Sequence, residues 1–184
     1  MRSLLPTLAL IVAACAPAAQ TPLQAPVQAP ARIDETGSGY DVHLNPAGQP
    51  VGEEVAAPLA KAWPLAVDAY ARAGLRIDGS DPAQHIVQTR GQIMRRQFNG
   101  RSLSNYFDCG TELSGNIADS WRIKVDAHMA VGPGTGSESS QVATMLTVTA
   151  TPVEGTSASV TQCSSRGLLE ATITQYVKDA LAKQ

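Results

Sequence analysis

The stretch that decides the fold is Asp119–Val131, DSWRIKVDAHMAV, together with Gln141–Thr151, QVATMLTVTAT. Every second residue from Trp121 to Val131 is apolar, and the residues between them are mostly polar or charged. The second stretch repeats this period of two. Such alternation is typical of strands with one covered face and one solvated face. Because a glycine-rich loop at residues 132–139 joins the two stretches, the sequence predicts a long antiparallel hairpin.

A helix is predicted before this hairpin, over Glu53–Ala73. Acidic residues at its start and Gly74 after its end suit the two ends of a helix. Pro64 lies inside this range and predicts a kink or a late restart of the helix. Apolar side chains at helical spacing define the stripe that we expect to be buried: Val55, Leu59, Trp63, Val67 and Tyr70, with Ala56, Ala60, Ala62, Ala66 and Ala69 filling the same side.

A second helix is predicted after the hairpin, over Arg166–Ala182, with Ser164 and Ser165 as N-caps. Its apolar stripe contains Leu169, Ile173, Val177 and Leu181. Shorter strands are expected at residues 85–94, 103–109 and 158–163. The order of helix, strands and helix predicts the α+β class. We expect two layers, an antiparallel β-sheet packed by an N-terminal and a C-terminal helix.

The N-terminus has the pattern of an export signal. Arg2 supplies a positive charge, and the apolar segment at residues 4–12 is too short to span a bilayer. The motif Val12–Cys15, VAAC, resembles the lipobox of bacterial lipoproteins, in which cleavage leaves the cysteine as the lipid-bearing first residue. We therefore expect residues 1–14 to be the signal peptide and Cys15 to be the lipidation site. The alternative is a plain secretory signal with an incidental cysteine.

A proline-rich segment follows the cysteine. Residues 15–50 contain recurring prolines among Ala, Gln and Thr and show no apolar periodicity, so they are expected to form an extended, mobile tether. Residues 51–184 are then expected to form one α+β domain. Ala16 stands where an Asp marks inner-membrane retention in the lipoproteins that this chain resembles. We therefore expect an outer-membrane anchor, with the protein facing the periplasm.

One family resemblance can be stated on particular residues. Val55, Pro58 and Trp63 in the pattern VxxPxxxxW, followed by Ala69-Tyr70 and Leu75–Asp78, resemble the first helix and turn of helix-grip domains in the BamC family. That family consists of outer-membrane lipoproteins of the β-barrel assembly machine, and its lipobox and long tether are similar to those of this chain. The resemblance implies a helix-grip-like fold and an accessory role in envelope assembly. The chain departs from the family in having one domain instead of two and in its expected disulfide.

The cysteines can be divided by elimination. Once Cys15 is assigned to a lipid, Cys109 and Cys163 are the remaining pair in an exported and therefore oxidising setting. We expect a structural disulfide between them. The alternative, a reactive or metal-binding pair, has no CxxC spacing and no histidine cluster to support it.

The sequence offers little support for catalysis or for bound cofactors. The histidines His43, His85 and His128 are not spaced to share a metal, and no GxSxG or SxxK motif is present. The glycine-rich run at residues 132–136 is not followed by Lys-Ser or by a helix, as a phosphate loop requires. We therefore expect no catalytic, metal or cofactor site, and the net charge of −2 gives no basis for nucleic-acid binding.

One local cluster of charge suggests a docking surface. Arg90, Arg95, Arg96 and Arg101 lie close together in the sequence, with aromatic residues nearby. This cluster is a candidate docking patch for an acidic partner or for lipid headgroups, and the alternative is a solvated loop.

The predicted function is therefore that of a membrane-anchored envelope lipoprotein, a non-enzymatic binding or assembly-accessory module with an envelope protein partner. The alternative is a carrier of lipids or small molecules, with a cavity between sheet and helix. A carrier needs an apolar cavity of about 300 Å³ or more in that position. A binding module needs a filled core and an exposed patch.

Overall fold

The computed structural model describes residues 44–153 and 159–184. The predicted signal peptide, Cys15 and most of the predicted tether lie outside the described residues. The strands are β1 Pro50–Val55, β2 Gly79–Asp81, β3 Ile86–Arg95, β4 Gln97–Phe98, β5 Arg101–Ser102, β6 Phe107–Asp108, β7 Thr111–Glu112, β8 Gly115–Asn116, β9 Arg122–Pro133, β10 Ser140–Thr151 and β11 Thr161–Ser165. The helices are α1 Leu59–Arg72, α2 Ile117–Ser120 and α3 Leu168–Ala182, with a 3-10 turn at Leu103–Asn105.

The predicted hairpin forms the centre of an antiparallel sheet. β9 and β10 pair without interruption from Arg122 opposite Thr151 to Pro133 opposite Ser140. The main sheet has the order β5-β4-β3-β9-β10-β11-β6, and β2 pairs with β3. β1 shares the second edge of β10 with β11. The separate β7–β8 hairpin lies in the segment before α2.

The face of the sheet that packs against α1 and α3 is called the inner face. Alternate residues of the central strands, such as Ile123, Val125 and Met129, are fully buried there. On α3 the predicted stripe is buried at Leu169, Ile173 and Val177. Burying a side chain of this kind stabilises a fold by about 1.5–3 kcal/mol. The two-layer α+β architecture predicted from the sequence is confirmed.

The predicted start of the first helix is wrong. Glu53 and Glu54 lie in β1, and α1 begins at Leu59 after Pro58 at its N-cap. The reason is that the first half of β10 would otherwise have an unpaired edge, and β1 pairs with it there. Gly52 permits this close pairing, because a Cβ atom at that position would lie 2.0 Å from the Val142 carbonyl oxygen.

The buried side of α1 agrees with the prediction at Tyr70 and at three of the alanines and differs from it at Trp63. Its closest packing uses small residues, Ala62, Ala66 and Ala69, together with Tyr70. Small side chains let a helix approach its neighbours closely, so the alanines face the core while Trp63 is only half-buried. The Trp63 ring makes an edge-on contact with His85 at a centroid distance of 5.5 Å. Gly74 follows the helix with a φ of 85°, as expected for a glycine after the last turn.

The N-terminus of α3 is displaced from its predicted position. Ser164 and Ser165 belong to β11 and pair with Asp108 and Phe107 of β6, so the strand runs two residues further than predicted. The N-cap of α3 is Gly167, which has a φ of 76°. The Gly167 N–H donates to the Ser165 hydroxyl at 3.0 Å, so Ser165 still supports this turn.

Two further boundaries change. Asn45 exchanges backbone hydrogen bonds with Ser165, at 2.8 and 3.0 Å, so the packed domain starts before residue 51. Asp119 and Ser120 lie in α2 instead of in the long strand. The Asp119 carboxylate accepts the N–H of Ser104 at 2.9 Å, which fixes this turn against the preceding loop.

Candidate functional site

The sheet face opposite α1 and α3 is called the outer face. Its side chains alternate with those of the core and are half-buried or exposed. The pairing places residues of β3, β9 and β10 in rows across this face. Gln88, His128 and Met145 form one row, and Arg95, Arg122 and Thr151 form another near one end.

The second row belongs to a cluster that we call the basic end: Arg95, Arg96, Arg101 and Arg122. Arg95 lies directly opposite Arg122. Arg96 and Arg101 are exposed in the adjoining turn and in β5. Within residues 44–153 and 159–184, these four guanidinium groups form no ion pair. Like charges placed opposite each other across strands destabilise the pairing, so this arrangement does not serve the stability of the sheet.

The basic end contains three of the four arginines predicted as a docking patch. Arg90, the fourth, lies in the middle of β3, whereas Arg95 is the last residue of that strand. Arg122 takes its place, although it lies far from the others in the sequence. The alternation of β9 indicates that Arg122 lies on the polar face. Its position beside Arg95 depends on strand register, which the sequence pattern does not give.

Arg90 occupies a β-bulge. Thr89 pairs with Ala127 and Gln92 with Val125, so Arg90 and Gly91 both lie opposite Asp126. Such a bulge redirects side chains and often occurs beside functional sites. Gly91 allows it because its φ is 59°, a conformation that other residues rarely adopt. The Gly91 N–H donates to Asp126 Oδ1 at 2.7 Å.

The backbone of Arg90 is also held from the opposite side. Its N–H donates to Asp78 Oδ2 at 2.8 Å, and its carbonyl accepts a hydrogen bond from Arg76 Nη2 at 3.0 Å. Arg76 and Asp78 form a two-pronged ion pair, with distances of 2.6 and 2.9 Å. The side-chain hydrogen bond from Arg76 is the main reason why the pKa of Asp78 is lowered. These two side chains take the place of a strand partner at this edge of β3.

A cleft of about 300 Å³ opens on the outer face beside the bulge, and we call it the outer cleft. Residues that line it include Gln88, Arg90, Asp126, His128, Met145 and Thr147. Burial lowers the pKa of His128, so its imidazole is neutral at pH 7. The Asp126 carboxylate is already engaged, by the Gly91 N–H and by Lys124 Nζ at 3.4 Å. The remaining polar side chains of the outer cleft, Gln88, His128 and Thr147, can each donate and accept hydrogen bonds, and Arg90 is the cation among the lining residues.

A buried polar contact supports the sheet behind the outer cleft. The Tyr70 hydroxyl lies 2.7 Å from the Thr89 hydroxyl and donates to the Ala127 carbonyl at 3.2 Å. Thr89 in turn donates to the carbonyl of Arg76. Burial raises the pKa of Tyr70 to about 12, so the hydroxyl stays protonated as a donor. α1 is thereby tied to the strands that form the bulge.

The predicted cysteine pair lies at one end of the sheet. The Sγ atoms of Cys109 and Cys163 are at bonding distance, 2.04 Å, and the two Cα atoms are 4.2 Å apart. The bond joins β11 to the segment just after β6, beside the short pairing of these two strands. It closes a large part of the chain, since the cysteines are 54 positions apart.

A buried polar cluster lies close to this end. Glu170 of α3 is fully buried, and its Oε2 atom has no hydrogen-bond partner among the described residues. Burial raises the pKa of Glu170 to about 6. The side-chain amide of Asn45 is also buried and without a partner in the described part of the chain. Sequence reasoning missed Glu170, because its position in the first turn of a helix is also favourable for an exposed acid.

The described residues contain no group of three His, Cys, Asp or Glu side chains that is placed to hold a metal ion. His85 packs on Trp63, His128 lies in the outer cleft, and His43 is outside the described residues. Within the ranges that the structure describes, no helix has the length and the apolar character needed to cross a bilayer.

Comparison with known proteins does not assign the chain to a family. No protein-family model matches the chain, and a search of curated proteins found no significant match. The resemblance to the BamC family therefore stays a prediction, as does the lipobox at Cys15.

The position of the outer cleft bears on the carrier alternative. A carrier of the expected kind has its cavity between sheet and helices, whereas the outer cleft opens on the other side of the sheet. On the inner side, the helices meet the sheet through fully buried side chains such as Ala66, Tyr70 and Ile173.

Proposed function

We propose that this chain is a lipid-anchored envelope lipoprotein that acts as a non-enzymatic binding module, with the outer face of its sheet as the contact surface. Cys15 is the proposed site of lipidation, and the outer membrane, facing the periplasm, is the proposed location. The partner is an envelope protein with an acidic surface. A role in barrel assembly rests only on the resemblance to BamC.

The observation that carries this proposal is the pair of arginines at the basic end of the outer face. Arg95 and Arg122 stand side by side across paired strands, Arg96 and Arg101 follow in the adjoining turn and in β5, and none of the four forms an ion pair with a described residue. Such a cluster attracts an acidic surface from a distance and orients it on contact. Arginine also suits this role because its planar guanidinium forms two parallel hydrogen bonds with a carboxylate.

The composition of the outer face agrees with a contact surface. Ile93 is 51 % exposed and lies between the outer cleft and the basic end, opposite Lys124. An apolar side chain beside arginines is typical of the surfaces that proteins use for binding each other. On the helix side of the domain, by contrast, the apolar side chains of α1 and α3 pack against the core.

Site-specific photo-crosslinking in the native envelope tests this proposal. A photoreactive residue at Thr149, in the row of Ile93 and Lys124 on the outer face, is expected to give a discrete adduct with an acidic protein. The matched control places the same residue at Lys61, which is exposed on α1. Equal adducts from both positions would count against a contact through the outer face.

Charge reversal provides the second arm. The double variant Arg95→Glu/Arg122→Glu is expected to reduce the Thr149 adduct at least tenfold, because two attractive contacts become repulsive. The control is Lys61→Glu/Lys183→Glu, which makes the same change of net charge on two exposed residues, one in α1 and one directly after α3. A loss of adduct in both double variants would indicate a general effect of net charge instead of a site.

The anchor is tested separately. Cys15→Ser is expected to abolish the incorporation of labelled palmitate, whereas Cys109→Ser leaves it intact. Label that persists on the Cys15→Ser protein would show that the lipobox assignment is wrong. Fractionation of the labelled protein with the inner membrane would contradict the proposed location.

A further inference from the structure

We propose that the outer cleft is a binding site for a single carboxylate group, with Arg90 as its cationic anchor. This inference rests on the proposed function and deepens it, because it names the chemical group of the ligand and the residues that receive it. The site differs from the basic end, which lies further along the same face.

Arg90 is held in place before any ligand binds. The bulge puts Arg90 and Gly91 opposite one residue, and the Gly91 N–H is fixed by Asp126. The backbone N–H and carbonyl of Arg90 are fixed by the Arg76–Asp78 pair on the other side. Arg76 and Asp78 therefore hold the backbone of Arg90 itself, and Asp126 holds that of its neighbour Gly91. An anchor that is positioned in advance loses less freedom when it binds.

The side chain of Arg90 is left available by this arrangement. Its guanidinium forms no side-chain hydrogen bond and no ion pair with a described residue, and its charge is one of the smaller causes that lower the pKa of the nearby Asp78. Asp126, the acid that lines the outer cleft, is engaged by Gly91 and Lys124 and therefore does not neutralise Arg90. Gln88, Thr147 and the neutral imidazole of His128 supply further donors around the outer cleft.

The size of the outer cleft limits the ligand. A volume of about 300 Å³ is at the lower end of the range for ligand sites, so it suits a group about as large as one amino-acid side chain. Met145 provides an apolar part of the lining. A carboxylate on a short methylene chain, such as the side chain of glutamate, fits this combination of donors and apolar surface. Its source is either a free small acid or an acidic residue of the partner protein.

NMR titration of the mature chain tests the site with defined probes. N-acetyl-glutamate-N-methylamide carries one side-chain carboxylate and no other charge, and N-acetyl-glutamine-N-methylamide is its neutral match. Saturable shifts of the Gly91, His128 and Thr147 amides are expected with the glutamate probe only. Arg90→Gln should weaken this binding at least tenfold, whereas Lys61→Gln leaves it unchanged. Equal shifts with both probes, or binding that is insensitive to Arg90→Gln, would overturn the proposal.

The two sources of the carboxylate are separated by the crosslinking experiment from Thr149. If Arg90→Gln also reduces the protein adduct tenfold, the carboxylate belongs to the partner. If Arg90→Gln leaves the adduct unchanged while the native chain binds the glutamate probe, the site takes a free acid. If the adduct depends on Arg95 and Arg122 but the glutamate probe does not bind, the cleft proposal fails and the proposed function stands.

Discussion

The two faces of the central sheet use alternate residues of the same strands for opposite purposes. On β9, Ile123 and Val125 point into the core and are fully buried, while their neighbours Arg122 and Lys124 remain accessible to solvent. On the inner face, the shape and volume of the side chains decide which residues fit into the close-packed core. The outer face lacks a second layer among the described elements, and charges are gathered on it that do not stabilise the fold. Under the proposed function, packing and binding are therefore assigned to alternate residues of one strand.

The pairing between strands also differs from one part of the sheet to another. β9 and β10 pair without a break in the central hairpin, whereas the bulge between Thr89 and Gln92 interrupts the pairing of β3 with β9. A bulge costs ladder hydrogen bonds. Here those groups are recovered by charged side chains, and the residue that the bulge redirects is Arg90 of the outer cleft.

The largest difference between the faces is expected from two neighbouring residues where β9 begins: Trp121, directly before the strand, and Arg122, its first residue. Trp121 is 7 % exposed, and its indole N–H donates to Glu112 Oε1 at 3.0 Å. Trp121→Ala should lower the free energy of unfolding by about 3–5 kcal/mol, the usual range for a buried large aromatic residue. Arg122→Ala should lower it by well under 1 kcal/mol, because its side chain lies on the outer face. Urea midpoints measure both, and an unchanged slope indicates two-state unfolding.

Equal losses at Trp121 and Arg122 would contradict the two-layer arrangement, since they would mean that the strand is buried on both sides. Trp63→Ala offers an intermediate case. The indole of Trp63 is half-buried against the core and His85, so its removal should cost less than that of Trp121.

A slightly smaller effect is expected from the disulfide. Replacing Cys109 and Cys163 by serine should lower the free energy of unfolding by about 2–4 kcal/mol, because the bond restricts a long loop of the unfolded chain. Intact mass after alkylation, with and without reductant, shows whether the purified protein contains the bond. Two free thiols in the unreduced protein would contradict the pairing.

The buried Glu170 predicts a pH dependence that belongs to the inner layer. Its pKa is raised from 4.5 to about 6, so the folded state favours the protonated form. The cost of ionisation is absent below pH 4.5, grows between pH 4.5 and 6, and reaches about 2 kcal/mol at neutral pH. Glu170→Gln should therefore stabilise the protein by about 2 kcal/mol at pH 7 and change little at pH 4.

The measurement is the difference in unfolding free energy between Glu170→Gln and the native chain across this pH range. Glu138→Gln, on the exposed loop after β9, is the matched control and should give no such trend. A constant difference at all pH values would indicate a packing effect instead of a titration.

The inner face was largely predictable from the sequence, and the candidate site was not. A period of two reveals which residues of β9 and β10 are buried, because burial requires apolar side chains at alternate positions. The strand at Pro50–Val55 was missed because its two glutamates and the apolar residues after them also suit the start of a helix. The pairing of Arg95 with Arg122 depends on register, and the bulge at Arg90 depends on contacts between residues 35 positions apart, which no local pattern records.

The smallest predicted change in stability is also the sharpest test of the division between the faces. Arg95→Glu replaces a pair of like charges with an opposite pair beside Arg122, and such a cross-strand pair contributes about 0.2–1 kcal/mol. We therefore expect this variant to be slightly more stable than the native chain, while its crosslinking from Thr149 becomes weaker. High salt should remove the gain in stability, because it screens charges at the surface. Urea midpoints at low and high salt measure the effect, with Lys61→Glu as the control on the helix side. A loss of more than about 1 kcal/mol would exceed the usual range for a surface substitution and would show that Arg95 belongs to the structural part of the sheet.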